Sequence, residues 1–332
     1  MKNSKILLFS VLAALVIVSS CTKDDPVVQA EELVKYIETS ITPAAIPALI
    51  TASALDDKIS AQTDMLIIDI RSAADYNTGH ITGAENVPDF KLLLQYLETT
   101  SVPMDKEIYI VCYSGQSAAW ATGLIRVAGY TNAKSLKFGM TSWTTETGYD
   151  KWTSNVSDDY YPSMVQTASP AKAAAGSLPK LNEGSDDGAD ILDARLDKVF
   201  AEGFTCTIDG ATVMGGLYDN PNYYIICYWP ESHYLAGHIP NSINYEPSED
   251  PFTLANDLKT LPSDKTIIVY CYTGQGSAFM AGYLRLLGYD AVSLKYGANS
   301  LMNEHMPASR WFGPESATPT VTVNRTLVSS TK

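Results

Sequence analysis

Short runs of β-branched apolar residues alternate along this chain with stretches of helical spacing. Met65-Leu66-Ile67-Ile68 is the first such run and closes on Asp69-Ile70-Arg71; Ile108-Tyr109-Ile110-Val111 is the second and closes on Cys112. Runs of this length, bounded by turn residues, predict buried strands. Between them, Phe90 to Leu97 puts Leu93, Leu94 and Leu97 at helical spacing, and Ala133 to Leu136 predicts a further short strand closed by Lys137-Phe138-Gly139. Upstream, Glu31 to Ser40 predicts a short helix, and Ile41-Thr42-Pro43 opens a helical stretch to Ile50. Strands that alternate with helices imply an α/β fold with a central parallel sheet covered on both faces.

The pattern then repeats. Tyr223-Tyr224-Ile225-Ile226 matches the first strand, and Ile267-Ile268-Val269-Tyr270 matches the second. Gly237-His238-Ile239-Pro240 matches Gly79-His80-Ile81-Thr82 at an offset of 238 − 80 = 158, and Ser293 to Gly297 matches Ser135 to Gly139 at 158 again. The cysteines that end the second strand of each half are offset by 271 − 112 = 159. A constant offset over separate landmarks means that a whole domain is duplicated. The halves are bounded here as 41–156 and 189–309, with a Ser-, Ala-, Pro- and Gly-rich linker at 157–188 and a tail at 310–332. Asp190 to Glu202 predicts a helix stopped by Gly203.

The length of 332 residues accommodates about two domains at roughly 150 residues each. A net charge of −14 argues against nucleic acid, which demands clustered Lys and Arg. The first residues stand apart from the fold. Lys2 and Lys5 precede an apolar run from Ile6 to Val18, short for a membrane span, and small residues lead into Cys21. This resembles a bacterial lipoprotein signal peptide, which implies cleavage before Cys21, lipidation of Cys21 and a polar tether over 21–40. The mature chain is then expected in the bacterial cell envelope, outside the cytoplasm, on the outer membrane or the periplasmic face. Its membrane contact is through acyl chains alone.

The chemistry is concentrated where each second strand ends. Cys112-Tyr113-Ser114-Gly115-Gln116-Ser117-Ala118 and Cys271-Tyr272-Thr273-Gly274-Gln275-Gly276-Ser277 both put a cysteine between a strand end and a helix start. There it faces unpaired backbone N–H groups and the positive end of a helix dipole, which favours thiolate and can cradle an anion. No Cys-x-x-Cys and no zinc-like Cys/His spacing occurs, so no metal or organic cofactor is expected.

Asp69-Ile70-Arg71, Gly79-His80-Ile81 and the Cys112 loop, in that order, resemble a tandem rhodanese-like protein, with the second half repeating all but the Asp-x-Arg. The resemblance implies two small α/β domains, each a central parallel sheet flanked by helices, and a cysteine that carries sulfur as a persulfide among loop N–H groups. Its partners are a small sulfur-containing donor and a thiol acceptor. Cys112 to Ser117 fills six positions, as does Cys271 to Gly276, the length found in sulfur-transferring members. The related phosphatases and arsenate reductases carry one residue more and a loop arginine that both loops here lack. Tyr113 and Tyr272 stand where thiosulfate-using members usually carry a basic residue, which points to a less charged donor such as a persulfide.

Supporting roles divide less sharply. Asp69 and Arg71 read as a strand-end polar clamp, with Arg71 able to pair with Asp75. His80 and His238 read as structural residues of their turns. Tyr113, Gln116, Tyr272 and Gln275 either line the mouth of the pocket or face solvent. The second half has Cys227-Tyr228-Trp229 in place of Asp69-Ile70-Arg71. Two readings of Cys227 stand: a buried free cysteine, or a resolving thiol that bridges Cys271 and gates the second site by redox state. Beside the sulfurtransferase stand a non-catalytic binding module and a thiol-disulfide redox protein.

Overall fold

In the computed structural model the described residues are 26–40, 48–146, 150–314 and 324–330. The first half runs α1 (Pro26–Ser40), β1 (Leu49–Ile50), α2 (Ala52–Ser60), β2 (Leu66–Asp69), α3 (Ala73–Thr78), β3 (Ala84–Asn86), α4 (Leu93–Thr99), β4 (Ile108–Val111), α5 (Gln116–Val127) and β5 (Ala133–Leu136). The second half repeats it as α6 (Gly188–Glu202), β6 (Thr207–Ile208), α7 (Gly210–Met214), β7 (Tyr223–Cys227), α8 (Glu231–Tyr234), β8 (Ile243–Asn244), β9 (Thr266–Tyr270), α9 (Gln275–Leu286) and β10 (Ala291–Leu294), closed by α10 (Asn299–Met302). The sheets are parallel and have the same order, β1-β5-β4-β2-β3 and β6-β10-β9-β7-β8. The α/β architecture and the duplication are as the sequence implies.

Leu49 and Ile50 form the edge strand β1 rather than the end of a helix, and 41–47 lie outside the described residues. The helix begins only after Thr51, whose hydroxyl accepts the Ala54 N–H at 3.1 Å. A threonine N-cap satisfies one of the donors a helix start leaves unpaired, and that sets the boundary.

The halves share one core. Ile108 and Ile110 of β4, Ile267 and Val269 of β9, and buried residues of α1, α5, α6 and α9 belong to a single apolar cluster. Each sheet therefore turns one face inward onto a common helical layer, and its other face closes a smaller cluster of its own. At the centre α5 and α9 cross closely because each presents a glycine to an aromatic ring. A Cβ on Gly123 would lie 3.2 Å from the Phe279 ring, and one on Gly282 would lie 3.0 Å from the Trp120 indole. The helix expected over Glu31 to Ser40, inside the stretch bounded as tether, is the docked helix α1 (Pro26–Ser40), with Leu33, Val34 and Ile37 buried. Full burial of one such side chain contributes about 1.5–3 kcal/mol, which a free tether would forgo. Cys21 and the segment before it lie outside the described residues.

The connecting segments are exchanged between halves. Val165, in the stretch read as linker, pairs antiparallel with His238 of the second half, and Val328 of the tail pairs antiparallel with His80 of the first. Leu178 and Leu181 of that linker are buried in the shared core. Arg325 and Thr326 follow Trp143: the Arg325 N–H donates to its carbonyl at 3.0 Å, and its indole N–H donates to Thr326 O at 3.2 Å.

Candidate active site

The β4 strand is buried along its length and delivers Cys112 at its carboxyl end. The chain then turns sharply through Gly115 at φ +85°, a left-handed conformation that favours glycine, and α5 starts at Gln116. Gly274 does the same at φ +73° before α9. The helix thus begins inside the six-residue loop, and the cradle is a tight turn plus the first helical turn. Cys112 Sγ accepts the N–H of Gly115 at 3.1 Å and that of Ala118 at 3.4 Å. Cys271 Sγ accepts the Ser277 N–H at 3.2 Å, and its thiol lies 3.6 Å from Ser277 Oγ as donor. Among the described residues, no group of three or more His, Cys, Asp and Glu is placed to hold a metal ion.

Burial opposes what the loop offers. Cys112 is 2% exposed and Cys271 5%. Desolvation pushes the Cys112 thiol above its ordinary range, while hydrogen bonds from Ser117, Ala118, Gly115 and Ser114 pull it down. The resting state therefore favours thiol, contrary to the expectation from the loop alone.

Arg71 does not pair with Asp75. It is locked to Asp69 at 2.7 Å, and both side chains are almost wholly buried. A further N–H of its guanidinium donates to Gly79 O at 2.7 Å. Asp75, in α3, instead accepts the Tyr113 hydroxyl, and the Ser72 and Tyr113 donors hold its carboxyl below the usual range. In the second half His233 of α8 takes that place, with Nδ1 2.5 Å from the Tyr272 hydroxyl.

His80 and His238 each stack within their own turn. His80 stacks on Tyr76 at 3.7 Å with Nδ1 2.7 Å from the Tyr76 carbonyl; His238 stacks on Tyr234 at 3.6 Å with Nδ1 2.8 Å from the Tyr234 carbonyl. Cys227 is in register with Tyr270, as Asp69 is with Val111, so it does replace the aspartate. It is fully buried and shares the outer cluster with Tyr270, Trp229 and Tyr234. Cys271 is the next residue after Tyr270 and turns its sulfur to Ser277 at the start of α9. Cys112, Cys206, Cys227 and Cys271 are all free thiols. Cys227 and Cys271 are not bridged in this structure, a state that both readings of Cys227 include.

Some contributors carry no sequence signal that was read as functional. Asn86 donates to the carbonyls of Asp69 and Arg71 at 2.9 and 3.1 Å, and Asn244 donates to those of Cys227 and Trp229 at 3.2 and 2.8 Å. The repeat offset alone marks this pair. Trp152 donates its indole N–H to Ser114 O at 3.1 Å and packs with Phe138, Trp311 and Tyr296 over the Cys112 loop. Gln116 and Gln275, read as pocket mouth or solvent-facing, are instead buried, and each bonds the opposite half.

A family model described as "Rhodanese-like domain" matches residues 51–146 and 177–304. A thiosulfate sulfurtransferase GlpE of Pseudoalteromonas translucida is 32% identical over 80 residues, spanning 24% of this chain and 73% of that protein. A sulfurtransferase of Allochromatium vinosum is 27% identical over 94 residues, 28% of this chain and 85% of that protein. An adenylyltransferase and sulfurtransferase of Ogataea parapolymorpha is 27% identical over 88 residues, 26% of this chain, and the match spans only 22% of its length. Among solved structures, a rhodanese-like domain from Anabaena sp. covers 28% of this chain and 70% of its own at 26% identity and a TM-score of 0.26.

Proposed function

The chain belongs to the rhodanese-like domain family, and from that premise we propose that it is a sulfurtransferase whose Cys112 carries sulfane sulfur from a donor to a thiol acceptor. The observation that carries this reading is the pair of N–H bonds from Gly115 and Ala118 to Cys112 Sγ, at the start of a buried helix. In the first step the Cys112 thiolate attacks the donor's sulfane sulfur. A sulfur–sulfur bond forms, the donor's own breaks, and the leaving thiolate or sulfite departs with the electron pair. The new terminal sulfur is anionic and sits where loop N–H groups can stabilise it. An acceptor thiolate then attacks that sulfur and releases Cys112 as thiolate. Cys271 repeats the arrangement with Ser277 as its donor. No cofactor is needed.

A small persulfide fits the Cys112 site better than thiosulfate. The loop contains no cation, and Arg71 beside it is already neutralised by Asp69. The helix dipole contributes at most about 2 kcal/mol to holding an anion at a partly buried site. In the cell this chemistry would take place in the bacterial envelope, with the chain held by lipid on Cys21. Cys21→Ala should then release the protein from membranes; a mutant that still sediments with membranes after a high-salt wash contradicts the anchor.

The burial of Cys112 at 2% exposure favours a second reading, a binding module that uses the loop without turnover. Intact-mass analysis after incubation with thiosulfate, a small persulfide or mercaptopyruvate separates the two. A gain of one sulfur atom, lost on reduction, supports transfer; no gain with any donor supports the binding module.

A further inference from the structure

Gln116 and Gln275 open α5 and α9, and each reaches into the other half. Gln275 is fully buried; its Oε1 accepts the Phe138 N–H at 2.9 Å, and its Nε2 donates to Leu136 O at 3.4 Å and Gly115 O at 3.5 Å. Gln116 Oε1 accepts the Tyr296 N–H at 2.8 Å, and its Nε2 donates to Ser114 Oγ at 3.0 Å. The turns held in this way are the ones that back the cysteines. Phe138 and Tyr296 adopt left-handed φ values of 63° and 59°, and each is followed by a left-handed glycine. In the first half, Met140 N–H donates to Cys112 O at 2.8 Å, and a Cβ on Gly139 would meet Cys112 O and Gly115 N at 2.5 Å. In the second, Ala298 N–H donates to Cys271 O at 3.0 Å, and Gly297 closes on Cys271 O and Gly274 N in the same way.

A residue of the Cys271 loop therefore fixes the turn on which the Cys112 loop rests, and a residue of the Cys112 loop fixes the turn behind Cys271. The contact leaves no slack, because a Cβ on Gly115 would collide with the Gln275 amide and one on Gly274 with the Gln116 amide. Any adjustment of one loop to a substituent on its sulfur is passed to the opposite turn, since a buried N–H that loses its acceptor costs stability.

We propose that Gln275 is a positioning residue for Cys112 and Gln116 is one for Cys271, so that the two cysteine loops respond as a coupled pair. Thermodynamic coupling of this kind is reciprocal. It rests on the loop contacts and not on the sulfur chemistry. Full-length protein is treated with iodoacetamide, in which the thiolate forms a carbon–sulfur bond and iodide leaves, and each cysteine is followed by peptide mass. Gln275→Met keeps the chain length and removes the acceptor of the Phe138 N–H. It should speed alkylation of Cys112 by about fivefold, the scale of one buried hydrogen bond, and Gln116→Met should do the same for Cys271. In addition, the Cys112 rate should differ between unmodified protein and protein already alkylated at Cys271, and this difference should vanish in Gln275→Met.

Cys206, buried and outside both loops, is the internal standard. A variant that speeds Cys206 equally has merely loosened the fold, and that result overturns the proposal. So does a Cys112 rate that ignores both Gln275 and the state of Cys271. Failure of sulfur loading with every donor would remove the transferase reading while leaving this measurement intact.

Discussion

Asp75 and His233 occupy the same position in the two halves and hold the same partner, the hydroxyl of the tyrosine that follows each cysteine. The duplicated scaffold has thus been given a carboxylate at one site and an imidazole at the other. Asp75 is itself exposed, so its hydrogen bonds from Ser72 and Tyr113 are screened by water. Its folded carboxyl is held below 3.8, so the stabilisation is present above that pH and is lost as pH falls through the lowered value. Asp75→Asn should cost less than about 1 kcal/mol at neutral pH and nothing once the wild-type carboxyl is protonated. Urea midpoints of the two proteins at neutral and strongly acidic pH measure this; an equal gap at both contradicts it.

The Asp69–Arg71 pair is a buried ion pair, and breaking it strands a charge. Removing Arg71 leaves a carboxylate that is 0% exposed without its cation. Arg71→Ala should destabilise the protein by about 3–5 kcal/mol. The double variant Asp69→Cys, Arg71→Trp, which copies Cys227 and Trp229 of the second half, should lose much less because no charge is stranded. Chemical denaturation ranks the two, and a double variant as unstable as Arg71→Ala contradicts the argument.

Val328 makes two backbone bonds to His80, accepting at 2.9 Å and donating at 3.0 Å. Val328→Pro removes the donor. It should lower stability by about 1–3 kcal/mol, the cost of leaving a buried carbonyl unpaired, and raise proteolysis of the tail. Limited proteolysis with mass readout checks this against Val328→Ala, which keeps the N–H.

Much of this was legible in the sequence, for identifiable reasons. Ile67, Ile68 and Ile108 to Val111 belong to continuous apolar strands, and a fully buried parallel strand writes itself that way. The Gly-His-Ile turns align the two halves, and His80 and His238 make the same stack on Tyr76 and Tyr234. Other features lie beyond local pattern. Nothing near Gln116 in sequence tells that it meets Tyr296, because the contact depends on how α5 and α9 cross. The α2 helix carries Asp56, Asp57 and Lys58 on a short span, so its periodicity is weak and its Thr51 cap decides it. The thiolate expectation for Cys112 counted the helix start but not the burial, and burial is the larger effect.

That balance has a signature in pH. Burial holds the Cys112 thiol above its ordinary 9.0, so the thiolate fraction keeps rising beyond that pH. Iodoacetamide alkylation of Cys112 should go on accelerating past the point where a free thiol has levelled off. A Cys112 profile that levels off at or below the free-thiol pH contradicts the burial argument.

The central claim is that Cys112 carries sulfur. Peptide-resolved mass analysis of wild type and Cys112→Ala after incubation with a small persulfide tests it most directly. The account predicts a gain of one sulfur atom on the Cys112 peptide, reversed by reductant, with most of the loading of the intact protein lost in Cys112→Ala and retained in Cys206→Ala. Undiminished loading in Cys112→Ala, with Cys271 intact, would contradict it.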